Sequence, residues 1–342
     1  MENLMKTAVV IPVKNEIAGL EELVESLLKQ VSWDDEIIFV DAGSTDGTLE
    51  ILKEYSEEHG SVRLIESPGA FPGKARNTAI QNTDAEIIVQ IDGGSLPDRM
   101  WLERIRKPLL KGDVDYVVGD VRVMPIVKNI MGISINVGDI YGSSLFREGR
   151  DESGISSGAS VAYRRWVWEK VGGFPQWAPT GEDVLFSKKV MNINVKHAFV
   201  RDAYIYWQIG PGLADIIKRQ IYYQAVDLVI PRNMQDSKGT RFMPFLILTA
   251  IILSFFVPYF WLFSVTIILL QWMRQNFMTL KVYRQRTEEE LSGPGRFLAL
   301  GIIALIEFIN IFSRIAGLVS GTMNLKKRKQ LINKINNYLY DG

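Results

Sequence analysis

Several acidic positions and one basic cluster carry side chains that could do chemistry. Asp41 ends the apolar run Glu36-Ile37-Ile38-Phe39-Val40-Asp41, and Asp92 ends Glu86-Ile87-Ile88-Val89-Gln90-Ile91-Asp92. A carboxylate at such a strand end can accept a hydrogen bond from the N–H of a heterocyclic base. Asp41 is followed by Ala42-Gly43-Ser44-Thr45-Asp46-Gly47-Thr48, a turn that opens a helix. Asp46 is suited to cap that helix, whereas Asp41 stands too early for capping. Val10-Ile11-Pro12-Val13-Lys14-Asn15-Glu16 sets a polar pair directly after a buried strand, as an ordinary strand-to-helix turn also would. Glu182-Asp183 reads as the start of a helix, where the dipole favours carboxylates. In Lys218-Arg219-Gln220, Arg219 could grip a phosphate with both arms of its fork. The same cluster could instead be a basic face on anionic headgroups.

The composition narrows the chemistry. With no Cys among 342 residues there is no thiolate nucleophile, disulfide or thiolate metal site. His59 and His197 are the whole histidine complement, so any metal must be held mainly by oxygen. Basic and acidic residues balance at 39 each, which gives no hint of nucleic-acid binding. No apolar leader run is visible at the N-terminus.

The candidate residues need a frame to hold them. From residue 7 to about 125, apolar runs alternate with amphipathic stretches. Ala8 to Val13, Glu36 to Asp41, Val62 to Ile65 and Glu86 to Asp92 read as strands. Leu20 to Leu28, Thr48 to Tyr55 and Lys74 to Gln81 read as helices. Alternation at this spacing predicts an α/β domain whose sheet is mostly parallel and covered on both faces. Ligands on such sheets bind at the carboxyl ends of the strands, where Asp41 and Asp92 fall.

The chain changes character near residue 240. No charged residue lies between Arg241 and Arg274, a stretch that as helix would reach roughly 45 Å, beyond one straight ~30 Å span. The apolar segment 242–273 reads as a kinked span or as a hairpin turning at Pro258. The segment 297–319 carries Glu307, Asn310 and Arg314 on one face, as an interfacial helix or a span with a polar stripe would. The organisation expected is a catalytic domain over 1–230 and a membrane-attachment region over 231–342.

The ordered set of motifs resembles the family-2 glycosyltransferases over residues 7 to about 225. It comprises Val10 to Glu16, Asp41 to Thr48, Gly73-Lys74-Ala75-Arg76-Asn77, Ile91-Asp92-Gly93-Gly94, Gly158-Ala159-Ser160 with Val171-Gly172-Gly173-Phe174, and Gly181-Glu182-Asp183. The resemblance implies a Rossmann-like GT-A fold and inverting sugar transfer from a UDP or GDP type donor. It assigns the donor to Pro12, Asn15, Glu16, Asp41, Ser44, Asp46, Lys74, Arg76 and Asp92. It makes Asp183 the catalytic base and gives Glu182, Arg219 and Gln220 to the acceptor or leaving diphosphate. Asp92 matches the Asp-x-Asp motif that chelates Mg²⁺ or Mn²⁺, but Gly94 stands where its second Asp belongs, leaving Ser95 or water as substitutes. The acceptor implied is a lipid-linked glycan or glycolipid, with membrane lipids as partners and no nucleic acid. The site of work implied is the cytoplasmic side of the cell membrane. The competing readings are a polyprenyl-phosphate sugar synthase and, prompted by Gly94, a non-catalytic nucleotide-binding membrane protein.

Overall fold

The computed structural model describes residues 5–124, 127–130, 133–136, 158–208, 260–287, 297–309 and 325–340. It divides into two compact units. The first comprises Met1–Arg122, Gly149–Gln208 and Ile335–Gly342, and the second Val123–Glu148 and Ile209–Lys334.

The first unit begins with strand β1 (Thr7–Val13), helix α1 (Leu20–Leu28), β2 (Glu36–Asp41), α2 (Thr48–Glu58), β3 (Val62–Glu66), α3 (Pro72–Gln81) and β4 (Ile87–Ile91). These elements lie where the hydrophobic periodicity puts them. There follow β5 (Ser95–Pro97), α4 (Trp101–Leu110), β6 (Tyr116–Val123), β9 (Ser160–Arg164), α5 (Arg165–Val171), α6 (Glu182–Asn192) and β10 (His197–Trp207). The hairpin β7 (Val127–Ile130) and β8 (Ile133–Asn136) belongs to the second unit.

The eight strands of the first unit run in the order β3-β2-β1-β4-β9-β6-β10-β5. β1 is parallel to β2 and β4, and β2 to β3. Beyond β4 the sense changes: β9 is antiparallel to both β4 and β6, and β10 to β5. The sheet is therefore mixed, which corrects the mostly parallel sheet expected from sequence. A parallel pair needs a crossover of a dozen or more residues, and the early βαβ units provide it. After Asp92 that rhythm is lost, and β9 enters between β4 and β6 in the opposite direction.

Alternation along the strands fills a core on each face. Val10, Ile38, Val40 and Ile88 pack with Ala75 and Ala79 of α3 and Phe186 and Val190 of α6. Burying each such Val or Ile contributes about 1.5–3 kcal/mol. α1 buries Leu20, Leu23, Val24 and Leu27, the stripe its spacing foretells.

In the second unit, α7 (Phe260–Thr287) pairs with α8 (residues 297–309); of α9 (Leu325–Tyr340), residues 325–334 are assigned to the second unit and 335–340 to the first. Trp272 Nε1 donates to the Ala304 carbonyl at 2.9 Å, and Thr279 Oγ1 donates to Glu307 Oε1 at 2.6 Å. Gln271, Gln275, Thr279 and Glu307 are buried, while Leu270, Met273, Phe277 and Phe297 are exposed.

Among the described residues no helix is long and apolar enough to cross a membrane, so the expected C-terminal membrane helices are corrected. α7 has the length, at 28 residues, but from Gln271 onward it carries Arg274, Gln275, Asn276 and Lys281. The described part of α8 is far shorter than a ~30 Å hydrocarbon layer requires. Residues 242–259, Asn310 and Arg314 lie outside the described residues.

Candidate active site

The first two motif loops are stapled to each other. Asn15, in the left-handed region at φ 56°, donates its amide to Ser44 Oγ at 2.9 Å. Its Oδ1 accepts from the Thr45 amide at 2.8 Å. The Glu16 amide donates to Thr48 Oγ1, and the Ile17 amide to Asp46. Asp46 also accepts from the Thr48 amide and hydroxyl at the first residue of α2, whose N-cap is Gly47. These bonds fix the exit of β1 against the exit of β2, at the carboxyl ends of parallel neighbours.

Asp41 has a local duty that its position in the sequence conceals. One carboxylate oxygen accepts from the Gly43 and Ser44 amides at 2.8 and 3.0 Å, and the other from Ser44 Oγ at 2.5 Å. The residue is 1% exposed. Asp41 shapes the loop, and Ser44 is its partner as well as Asn15's. Pro12 is half-buried in β1, and Lys74 is exposed at the start of α3.

The electrostatic centre is Arg76, 3% exposed on α3. Its Nη1 donates to Glu182 Oε1 at 2.5 Å and its Nη2 to Asp92 Oδ1 at 2.7 Å. One guanidinium thus joins the end of β4 to the first residue of α6. Glycine is required at two contacts around it. A Cβ on Gly73 would lie 2.9 Å from the Pro175 carbonyl and 3.1 Å from Glu182 Cγ, so its absence lets α3 approach α6. Gly158 has φ +73°, and a Cβ there would lie 2.9 Å from Asp183 Cβ and 3.1 Å from Arg76 Nη2.

Burial and charge set the ionisation of this group. Desolvation works against the Arg76 charge, but Asp92, Glu182 and Asp183 outweigh it and raise its pKa. Desolvation and then the negative charge of Asp183 push Glu182 up to about 7, against the pull of Arg76. Desolvation raises Asp92 more than Arg76 lowers it, with Asp183 adding to the rise. About a third of the Asp92 side chain is still accessible (32%), so it lies deep in the protein without being sealed. Three carboxylates thus face one guanidinium, an excess of negative charge that favours a cation or a proton. Asp183 Oδ1 accepts from the Val184 amide at 2.8 Å. Among the described residues, no hydrogen bond reaches the second oxygens of Asp183 and Asp92.

Behind Arg76 stands Asn77. Its Oδ1 accepts from Trp168 Nε1 and the Phe174 amide, and its Nδ2 donates to the Phe174 carbonyl, all at 2.9 Å. Phe174 stacks on Phe186 of α6 at 4.0 Å and lies 5.7 Å from the Arg76 guanidinium carbon. Tyr338 of α9 donates to the Gly173 carbonyl at 2.7 Å and accepts Lys189 over its ring. The Asn77 and Tyr338 roles escaped the sequence reading. Asn77 lies inside a motif that was recognised; no local signal marks Tyr338.

Asp92, Arg76, Glu182 and Asp183 are brought together. Pro12, Asn15, Glu16, Asp41, Ser44 and Asp46 form the adjoining loops. Arg219 and Gln220 lie outside the described residues. Asp98 is occupied ahead of α4, accepting from the Met100 amide, Arg104 and Tyr204. Among the described residues no group of three or more His, Cys, Asp or Glu is arranged to hold a metal unaided.

Residues 8–172 match the family Glycosyl transferase family 2. The chain is 27% identical over 200 residues to Glycosyltransferase AglE of Haloferax volcanii, covering 57% of this chain and 64% of the relative. It is 27% identical over 230 residues to Probable glycosyltransferase YdaM of Bacillus subtilis, covering 64% and 54%. The chain thus spans less than two thirds of the length of these relatives. The fold is shared with mannosyltransferase PcManGT of Pyrobaculum calidifontis, solved in complex with GDP-Man and Mn²⁺. There the TM-score is 0.59 at 20% identity, with 93% of this chain and 87% of the other covered.

Proposed function

We propose that this chain, which carries a glycosyl transferase family 2 domain over residues 8–172, is an inverting glycosyltransferase using a nucleotide-sugar donor. The observation that carries this reading is Asp183, held at the start of α6 with one carboxylate oxygen unclaimed among the described residues, beside the Arg76–Asp92–Glu182 group. Asp183 takes the proton from an acceptor hydroxyl as that oxygen bonds to the anomeric carbon. The bond from that carbon to the nucleotide diphosphate breaks on the opposite face, so the configuration inverts. The stapled loops after β1 and β2 hold the nucleoside end. Arg76 holds Asp92 and Glu182 in place rather than reaching out to the donor.

The donor set suits a divalent ion bound together with a diphosphate. Asp92 offers one desolvated oxygen, and the phosphates supply others. Such an ion would neutralise charge on the departing diphosphate. The mannosyltransferase that shares this fold was solved in complex with GDP-Man and Mn²⁺, which supports this reading.

The acceptor is read as a lipid-linked glycan or glycolipid, at the cytoplasmic face of a membrane where nucleotide sugars are made. The exposed Leu270, Met273, Phe277 and Phe297 of the second unit support an apolar acceptor. The test is a panel of UDP and GDP sugars offered to the purified full-length chain. One donor class is expected to raise the melting temperature and to be hydrolysed or transferred. Binding with neither hydrolysis nor transfer would favour a non-catalytic nucleotide-binding protein, and no binding at all would overturn the proposal.

A further inference from the structure

Gly94 offers no ligand where a second carboxylate is expected, yet the space beside it is occupied. A Cβ built on Gly94 would lie 3.0 Å from Glu16 Oε2, 3.6 Å from its Cδ and 3.7 Å from its Oε1. A Cβ on neighbouring Gly93 would lie 3.2 Å from Glu16 Cγ and 2.8 Å from Val13 Cγ1. The Glu16 carboxylate, arriving from the loop after β1, therefore stands where a side chain at position 94 would begin. It can stand there because both glycines lack a Cβ. The loop is held by the Glu16 amide bonded to Thr48 and by Asn15 bonded to Ser44 and Thr45. One residue beyond Gly94, Ser95 is 2% exposed and its Oγ has no hydrogen-bond partner among the described residues, leaving a buried polar atom that a water on a nearby ion would satisfy.

We infer that Glu16 supplies the second carboxylate of the divalent-ion site in place of the residue missing at Gly94. The inference rests on the transferase reading and deepens it at that same site. Asp92 reaches the ion with the oxygen that Arg76 leaves unclaimed, and Glu16 reaches it with the carboxylate that lies beside Gly94. The carboxylate has moved from one loop to another while the charge of the site is kept. One consequence reverses a simple expectation from sequence. Restoring Asp at position 94 should not strengthen ion binding, because its side chain starts 3.0 Å from the Glu16 oxygen. The two carboxylates would compete for one place and repel each other.

The test is Mn²⁺ binding to the full chain, with and without GDP or UDP, read from loss of the free-ion electron paramagnetic resonance signal. Losing an outer-shell partner costs ~10–100-fold in metal affinity, and losing a ligand should cost at least as much. Glu16→Gln and Asp92→Asn are each expected to weaken Mn²⁺ by at least tenfold. Gly94→Asp alone should leave affinity unchanged or lower, and Gly94→Asp in the Glu16→Gln background should recover most of it. Glu16→Asp, a shorter carboxylate, should fall between wild type and Gln, which guards against a Gln variant that simply folds poorly. If Asp92→Asn loses the ion while Glu16→Gln binds as wild type, the inference fails and the ion-using transferase stands. If the wild-type chain binds no Mn²⁺ even with nucleotide, the inference and the ion both fall, while donor transfer in chelator would still uphold the transferase.

Discussion

Glu182 and Glu307 are both buried glutamates, 5% and 0% exposed, and the two units treat them in opposite ways. In the first unit Glu182 meets a guanidinium, has Asp183 as its chain neighbour, and has its pKa pushed up to about 7. In the second unit Glu307 meets the Thr279 hydroxyl between two helices that carry Leu270, Met273 and Phe277 outward. One site gathers carboxylates around the Arg76 guanidinium and stays partly open at Asp92. The other seats a polar group inside a helix pair. A buried carboxylate is therefore not in itself a sign of chemistry. Crowding by like charge, an accessible neighbour and a place at the head of α6, tied through Arg76 to the end of β4, set Glu182 apart.

The contrast can be broken at either end. Arg76→Met removes the guanidinium and strands Asp92 and Glu182. Breaking a buried pair in this way costs about 3–5 kcal/mol, read by denaturant unfolding. A loss under ~1 kcal/mol would mean that the network does not hold α3 to α6. Asp183→Asn should leave stability and donor affinity near wild type while lowering turnover at least ~10²-fold. Near-normal turnover would remove Asp183 as base and favour an acceptor phosphate that is already ionised. Thr279→Val, in the second unit, should cost about 1–3 kcal/mol by leaving Glu307 short of a donor, with nucleotide affinity unchanged. If it instead weakened nucleotide binding, the two glutamates would not be functionally separate.

A smaller effect is a shift of the pH profile. The ordinary pKa of Glu182 is 4.5 and its folded value is about 7. The native state therefore keeps a proton that the unfolded chain releases. The resulting stabilisation is complete below about pH 4.5 and disappears as pH rises through about 7. Glu182→Gln should flatten stability across that window. A Gln variant whose stability still falls across that window would show that Glu182 does not govern it.

Much of this site could be read along the chain and little of it across the chain. The first βαβ units follow hydrophobic period, and Asp41, Asp92 and Asp183 stand at strand or helix ends that the pattern marks. Arg76 and Glu182 were both picked out, but not as partners, because 106 residues separate them. Gly94 was read as a missing ligand, since a sequence cannot show that Glu16 fills the adjoining space. The sheet was misjudged past Asp92, where the pairing of β9 depends on tertiary entry rather than on alternation. The long uncharged run between Arg241 and Arg274 suggested spans, yet in α7 it gives way to polar residues after about three turns.

The most direct measurement is the anomeric configuration of the product. The purified full-length chain is supplied with an α-linked nucleotide sugar and its acceptor, and the new linkage is read by NMR before equilibration. A β-linked product is expected, lost in Asp183→Asn, because one carboxylate with a free oxygen supports a single displacement. An α-linked product would contradict the inverting mechanism and the role given to Asp183.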